Sequence, residues 1–356
     1  MKRYSTFPFI ITVLAVTANP SPGLFLSTAE SAESVVYDAF EYVEASAENP
    51  SGSLSLAVVN SRPSLAYSTG DGLKFVRAED SSGESWGDPV MVDANAKVPG
   101  RSFDSSKIFL ARVVLPLVIG FGNDGSGKQQ FHRPSAPAIA YIDAGKVKFV
   151  RASTLDGSSW ESPVTLNDEP EHEDISMAIV HGHPAVAYRN EESNLLVYER
   201  AADEHGDDWS DAGLLVEWGA RVGDGATPLA VIDGRPAIAF YDPTDKAIQY
   251  VRARDEDGNS WGSAVPVTAT TEGPFAPFSL AQVNGRPAVA FSDYVKQYYV
   301  RAEDASGSSW GSVVTAGPAG FATGNISLAV INGRPAIVQY IEPNDDMQII
   351  RFLHAR

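Results

Sequence analysis

Asp255-Glu-Asp257-Gly258-Asn259-Ser260-Trp261 is one of five copies of a short pattern: an acidic or polar residue, two spacers, Gly, one spacer, Ser or Asp, then Trp. The others are Asp80-Ser-Ser-Gly83-Glu-Ser-Trp86, Thr154-Leu-Asp-Gly157-Ser-Ser-Trp160, Asp203-Glu-His-Gly206-Asp-Asp-Trp209 and Asp304-Ala-Ser-Gly307-Ser-Ser-Trp310. Each follows an apolar run with an Arg near its end, such as Phe75-Val-Arg77-Ala, and precedes a short apolar run, such as Pro89-Val-Met-Val92. From Trp86 onward the Trp-to-Trp steps are 74, 49, 52 and 49 residues. A period near 50 belongs to propellers and arrays. The pattern therefore speaks first to architecture.

Around Trp261 one period resolves into four short strands. They are Pro228–Ile232, Pro236–Tyr241, Ala247–Arg252 and Ala264–Val267. Turns at Asp233-Gly234, at Asp242–Asp245 and at the Trp loop separate them. The runs are rich in β-branched and aromatic residues, as strands are. The first turn recurs as Asn60-Ser-Arg-Pro63, His181-Gly-His-Pro184, Asn284-Gly-Arg-Pro287 and Asn332-Gly-Arg-Pro335. Asn-Gly and Asp-Gly favour the positive φ of two-residue hairpins, and Pro is tolerated at a strand's first residue.

The last copy has three strands, Ser327–Ile331, Pro335–Tyr340 and Met347–Phe352, and then the chain ends. The N-terminal side has a spare strand, Phe40–Glu44, ahead of Leu54–Val59. The expected fold is all-β: a six-bladed β-propeller of four-stranded blades over 35–356, closed by the N-terminal strand pairing with the C-terminal blade. Radial closure leaves only short, protected edges. The second copy carries about 24 extra residues, expected to form a hairpin at about 111–137 projecting from the first-to-second strand connection.

Residues 1–18 read as a secretory signal, with Lys2-Arg3, the apolar Phe7–Val16 and a small-residue site ending at Ala18. A cut as late as Ala29 is compatible, and 19–34 reads as a linker. The apolar run is too short to span a bilayer comfortably. The expected location is secreted, extracellular or periplasmic. There is no Cys, hence no disulfide or lipid anchor on sulfur. The net charge is −18, about −20 without Lys2 and Arg3. That argues against nucleic acid, which selects basic patches, and against anionic membranes; no membrane insertion is expected. A solvated acidic surface suits an extracellular monomer.

The Gly-x-Ser-Trp loop between third and fourth strands resembles the Asp-box of sialidase-like propellers, Ser/Thr-x-Asp-x-Gly-x-Thr-Trp. The match covers Gly83, Ser85 and Trp86 and their equivalents. It departs in the acid: Asp80, Asp203, Asp255 and Asp304 stand six before Trp, where the family motif has Asp five before. The resemblance implies a structural loop away from the active face. Gly83, Gly157, Gly206, Gly258 and Gly307 would take positive φ. Trp86, Trp160, Trp209, Trp261 and Trp310 would pack between blades.

The opposite face holds the variable loops, where sialidase-like enzymes bind sugar. Asp143, Asp242, Asp293 and Glu342 follow the second strand in four copies. They could meet a cation or sugar hydroxyls, or simply make Asx turns. Arg101, Arg189 and Arg221 fall on that face and break the repeat; three converging guanidinium forks suit a carboxylate. The family also needs a Tyr–Glu nucleophile pair and an acid/base Asp. No spacing singles these out, and the family's Arg-Ile-Pro signature is absent, so no catalytic residue is assigned. His181-Gly-His183 is a variant hairpin turn before it is a metal site. Asp255-Glu-Asp257-Gly258-Asn259 has a calcium-loop flavour without the downstream bidentate Glu. No cofactor is implied, and calcium is left open. The acidic stretch Asp168–Asp174 reads as solvated. Arg77, Arg151, Arg200, Arg252, Arg301 and Arg351 recur too regularly to be a site, and pairing with loop acids or carbonyls between blades is expected. The leading expectation is a secreted, non-catalytic scaffold for a glycan or an extracellular protein. The alternatives are a sialidase-like glycoside hydrolase and a structural surface or matrix protein.

Overall fold

The computed structural model describes residues 50–81, 85–98, 108–114, 121–123, 129–131, 135–168, 172–190, 193–209, 214–216, 222, 226–269, 278–293, 296–316, 326–331, 334–344 and 347–354. The leader, the linker, Phe40–Glu44, Gly83, Arg101 and Arg221 lie outside them. Among the described residues there is no helix. The first sheet is β1 (Pro50–Val59), β2 (Arg62–Thr69), β3 (Gly72–Arg77) and β4 (Val90–Asp93), paired in that order. In the next, β5 (Ile108–Val114) is followed by a separate hairpin of β6 (Phe121–Asn123) and β7 (Gln129–Phe131). Then β8 (Ser135–Asp143), β9 (Lys146–Arg151) and β10 (Val164–Asn167) pair outward from β5. The third sheet is β11 (His172–Val180), β12 (His183–Asn190), β13 (Leu195–Arg200) and β14 (Leu214–Leu215). The fourth is β15 (Leu229–Ile232), β16 (Arg235–Asp242), β17 (Ala247–Arg252) and β18 (Val265–Ala269). The fifth is β19 (Phe278–Val283), β20 (Arg286–Ser292), β21 (Gln297–Arg301) and β22 (Val314–Thr315). The sixth has three strands, β23 (Ile326–Ile331), β24 (Arg334–Asn344) and β25 (Met347–His354).

First strands touch in relay: β1 with β5, then β11, β15, β19 and β23. Serine hydroxyls reinforce the relay. Ser176 Oγ accepts the Leu229 N–H at 3.0 Å, and Ser279 Oγ accepts that of Leu328 at 3.0 Å.

The run Pro-Ala-x-Ala-aromatic in the second strands encodes how sheet meets sheet. Side chains alternate across a strand, so each second strand has a small face and a large face. Ala138 and Ala140 of the second sheet meet Val186 and Tyr188 of the third. Ala185 and Ala187 meet Ile238 and Phe240, and Ala237 and Ala239 meet Val289 and Phe291. Small meets large in one direction, which fixes the order of the stack and lets large side chains interdigitate at crystal-like density.

The Trp loops lock the same spaces from one end. Trp160 stands edge-on to Phe75 of the preceding sheet at 5.3 Å, and Trp209, Trp261 and Trp310 repeat this on Phe149, Tyr198 and Tyr250 at 5.2, 5.2 and 5.4 Å. Gly258 is obligatory twice over. Its φ is +81°, and a Cβ would lie 2.6 Å from the Tyr198 ring. The loop acids cap the turn: Asp255 accepts from the N–H groups of Asp257, Asn259 and Ser260 at 3.2, 2.9 and 2.9 Å.

The recurrent arginines hold turns. Arg77, Arg200 and Arg252 donate Nε to Val59, Val180 and Ile232 carbonyls at 3.2, 3.0 and 3.0 Å, each at the end of its own sheet's first strand. Arg151 differs, because β5 leads into the inserted hairpin and no two-residue turn is there to grip. It reaches instead to His205 O of the next sheet at 2.9 Å and to Glu161 at 2.7 Å. The expected membership of Arg351 is corrected by register. Ala237 pairs with Arg252 in the fourth sheet, but Ala336 pairs with His354 in the sixth, and Arg351 faces Gln339. A register shift between Ile341 and Asn344 moves the strand.

Candidate functional site

The turns joining second to third strands lie at the opposite end of each sheet from the Trp loops. Asp143, Asp242 and Asp293 all stand at that end, and the carboxylates of Asp242 and Asp293 bind backbone locally. Asp242 accepts from Thr244 N at 2.7 Å and Asp245 N at 3.3 Å, an Asx turn. Asp293 accepts from Lys296 N at 2.7 Å and from the Tyr298 hydroxyl at 2.6 Å. That bond raises the Tyr298 phenol to about 12, with burial adding to it. Glu342 does not share the position. Ile341, opposite Ile349, is the residue six after Pro335, and Glu342 follows it inside the irregular segment.

Asp143 belongs to a wider network. It accepts from Lys97 N at 2.6 Å and from Lys148 Nζ at 2.5 Å. Lys148 Nζ also lies 4.0 Å from Asp93, which accepts from the Tyr141 hydroxyl at 2.6 Å and from the Asn95 N–H at 2.9 Å. Burial alone would raise the Asp143 carboxyl, but Lys148 and the Lys97 N–H hold it below the usual range. Burial and Asp93 push the Tyr141 phenol far above its ordinary value. Lys148 is 20% exposed and both carboxylates are about a tenth exposed, so the network meets solvent at the variable-loop end. Asp93, Tyr141 and Lys148 were not singled out from sequence. The available signal was register: Tyr141 lies opposite Lys148 as Tyr67 lies opposite Lys74.

The arginines are distributed unevenly. Arg189 is fully buried and donates Nη1 to Asn194 Oδ1 at 3.0 Å. Asn194 O accepts the N–H of Val222 at 3.1 Å. Asp174 is also buried, at 1% exposure, against the expectation that its stretch is solvated. It occupies a register shift in β11 with φ +55°. A Tyr–Glu pair does exist. The Tyr188 hydroxyl donates to Glu199 Oε1, and both lie in the space between second and third sheets at 0% and 4% exposure. Burial raises the Glu199 carboxyl, and the Tyr188 bond opposes this. No group of three or more metal-ligating side chains occurs among the described residues. A shallow pocket of about 190 Å³ opens at the Trp-loop end, lined by Arg62, Arg77, Glu79 and Asp156. Arg77 is there engaged in holding its turn.

No protein-family model and no curated protein matches the chain. Solved structures do. A Hadza microbial sialidase aligns with a TM-score of 0.50 at 15% identity, covering 86% of this chain and 65% of its own. A variant of NanB sialidase from Streptococcus pneumoniae gives 0.50 at 11% identity, covering 85% and 68%. A Trypanosoma rangeli sialidase gives 0.48 at 11%, covering 91% of this chain but only 57% of its own length. The likeness to the two structures at 0.50 shows the fold alone, a β-propeller like theirs. The chain spans about 57–68% of the length of these three structures.

Proposed function

We propose that the protein is an exported glycan-binding propeller that holds its ligand on the variable-loop end and does not cleave it. The observation carrying this reading is the solvent-reaching network of Asp93, Tyr141, Lys148 and Asp143 at that end. It offers a carboxylate pair, an ammonium and backbone N–H groups, the mixed donors and acceptors that orient a polar ligand. Glycan-acting neighbours of the same fold support the ligand class, although fold alone does not carry function. Catalysis of the sialidase type needs a Tyr–Glu pair that meets substrate, and Tyr188–Glu199 is sealed between sheets. An extracellular protein displaying glycans is the natural partner for an acidic monomer.

The supporting scaffold is a closed ring of six blades. On the first sheet, Leu65, Tyr67 and Val76 occupy the large face that later sheets turn to their predecessor. They are only 0–1% exposed, although no sheet precedes that one among the described residues. Covering them by the sixth sheet, with residues 40–44 as its fourth strand, accounts for that burial. A glycan array run beside a fluorogenic sialoside assay tests the function. Binding without turnover is the expected result. Sialoside release by the wild-type protein would make it a hydrolase, and an empty array would remove the glycan reading.

A further inference from the structure

The pocket of about 190 Å³ at the Trp-loop end, between first and second sheets, holds two guanidinium groups, those of Arg62 and Arg77. Arg77 is anchored, donating Nε to Val59 O at 3.2 Å and Nη2 to Asn60 O at 3.3 Å. Arg62 makes no hydrogen bond, and among the described residues no carboxylate lies within ion-pair distance of either arginine. In the next three sheets the matching arginine has its carboxylate. Arg151 meets Glu161 at 2.7 Å and Asp207 at 3.2 Å, Arg200 meets Asp257 at 3.1 Å, and Arg252 meets Asp233 at 3.0 Å. Counted from the Trp and from the hairpin turn, those four acids correspond around Arg77 to Gly87, Ser158, Asp156 and Asn60. Three of these carry no charge. Asp156 is turned onto its own loop, accepting from Ser158 N at 3.1 Å and Ser158 Oγ at 2.7 Å. In the fourth sheet Arg235 takes the place of Arg62, but Asp233 is there to offset the charge. Burial, and then Arg62, hold the Arg77 guanidinium below its ordinary value, with Asp156 opposing them. A charge that the repeat neutralises elsewhere and leaves open here marks a functional position.

The lining selects the ligand. Guanidinium forks grip oxyanions through paired N–H bonds. The two carbonyls fix the Arg77 group in place and leave its other N–H donors for a ligand. Glu79, Asp88 and Asp156 are exposed around the pocket and disfavour a multiply charged anion such as phosphate. Phe75, Val76 and Val90 supply an apolar wall. The volume falls below the roughly 300–1,000 Å³ of pockets for drug-sized ligands, so it suits a small molecule or an end group. We infer that this pocket binds the carboxylate of a small, singly charged organic acid, with Arg62 and Arg77 as its counter-ions. A free short-chain acid and the acid group of a uronic sugar share that chemistry. The pocket lies at the end opposite the proposed glycan face, so the inference does not rest on the glycan reading.

The test uses the full chain, as wild type, Arg62→Gln and Gly87→Glu. Each is melted thermally and titrated calorimetrically with acetate, glucuronate and inorganic phosphate, at low ionic strength because salt screens such a half-exposed site. Both variants should fold, since Arg62 makes no bond in the fold and a Cβ on Gly87 meets only Arg77 O, at 3.4 Å. Gly87→Glu supplies the carboxylate that Glu161 gives Arg151. The wild type should bind both carboxylates, and each variant should bind them at least tenfold more weakly. Tighter binding of glucuronate than of acetate would assign the pocket to an acidic sugar, and equal binding to a free small acid. Carboxylate binding that Arg62→Gln leaves intact would overturn the inference, as would phosphate bound more tightly than acetate. A wild type that binds neither carboxylate would also overturn it, while the glycan reading stands or falls on the array.

Discussion

Glycine shows how a single residue serves two constraints in this fold. Gly234 and Gly258 both have positive φ, +75° and +81°, but a Cβ on Gly234 meets nothing within 4 Å while one on Gly258 strikes Tyr198. Gly234→Ala should therefore cost about 1 kcal/mol, the left-handed backbone penalty alone. Gly258→Ala should cost about 3 kcal/mol, because overpacking is added. Urea melts of the two variants check the difference, and equal losses would mean that the Tyr198 ring simply moves aside. The loop acids make a second residue-scale prediction. For Asp203 and Asp255 burial works to raise the carboxyl, yet the backbone N–H groups of each turn outweigh it and hold both below the usual range. A depressed folded value gives stability that is present above the unfolded carboxyl value near 3.9 and is lost as pH falls through the lower folded one. Melting temperature should drop below about pH 4, and Asp255→Asn should show a shallower acid decline than wild type. An unchanged acid slope would mean that the caps carry no linkage.

At the scale of the strand, the departures from the repeat are informative because the repeat is otherwise so regular. Where β17 has Val251 opposite Ile238, β13 has Glu199 opposite Val186, and Tyr188 replaces Phe240. The double variant Tyr188→Phe, Glu199→Val restores the fourth-sheet combination. It should be more stable by about 1–4 kcal/mol at neutral pH, as buried polar pairs replaced by well-packed apolar ones often are. The sign with pH is set by the raised Glu199 carboxyl. Its contribution is complete below the unfolded value near 4.3 and is lost as pH rises through the folded one. The variant's advantage should thus grow from pH 4 upward in thermal melts, and a constant advantage would contradict the assignment. Strands, hairpin turns and the Trp-loop packing were legible in sequence, because each rests on local patterns repeated five times. The candidate network was not, because Asp93 and Tyr141 meet across sheets, 48 residues apart. Arg351 and Glu342 were misplaced for a local reason. The sixth sheet's second turn is irregular, so Phe352-Leu-His354-Ala355, and not the segment around Arg351, aligns with Phe75-Val-Arg77-Ala78.

At the scale of the molecule, we propose a closed ring. Small-to-large packing between second strands runs one way through successive sheets, and a one-way stack has two unlike ends that suit each other. The first sheet offers Leu65 and Tyr67 at one end, and among the described residues the sixth sheet has three strands, with β25 paired to β24 alone. An unclosed edge of eight residues would invite aggregation. The most direct test compares two shortened chains, one beginning at Ser31 and one at Ser51, by thermal melting and size-exclusion chromatography. Closure through residues 40–44 predicts that the chain from Ser31 is monomeric and cooperative, while the chain from Ser51 aggregates or melts far lower. Two monomers with matching midpoints would contradict the closed six-bladed ring.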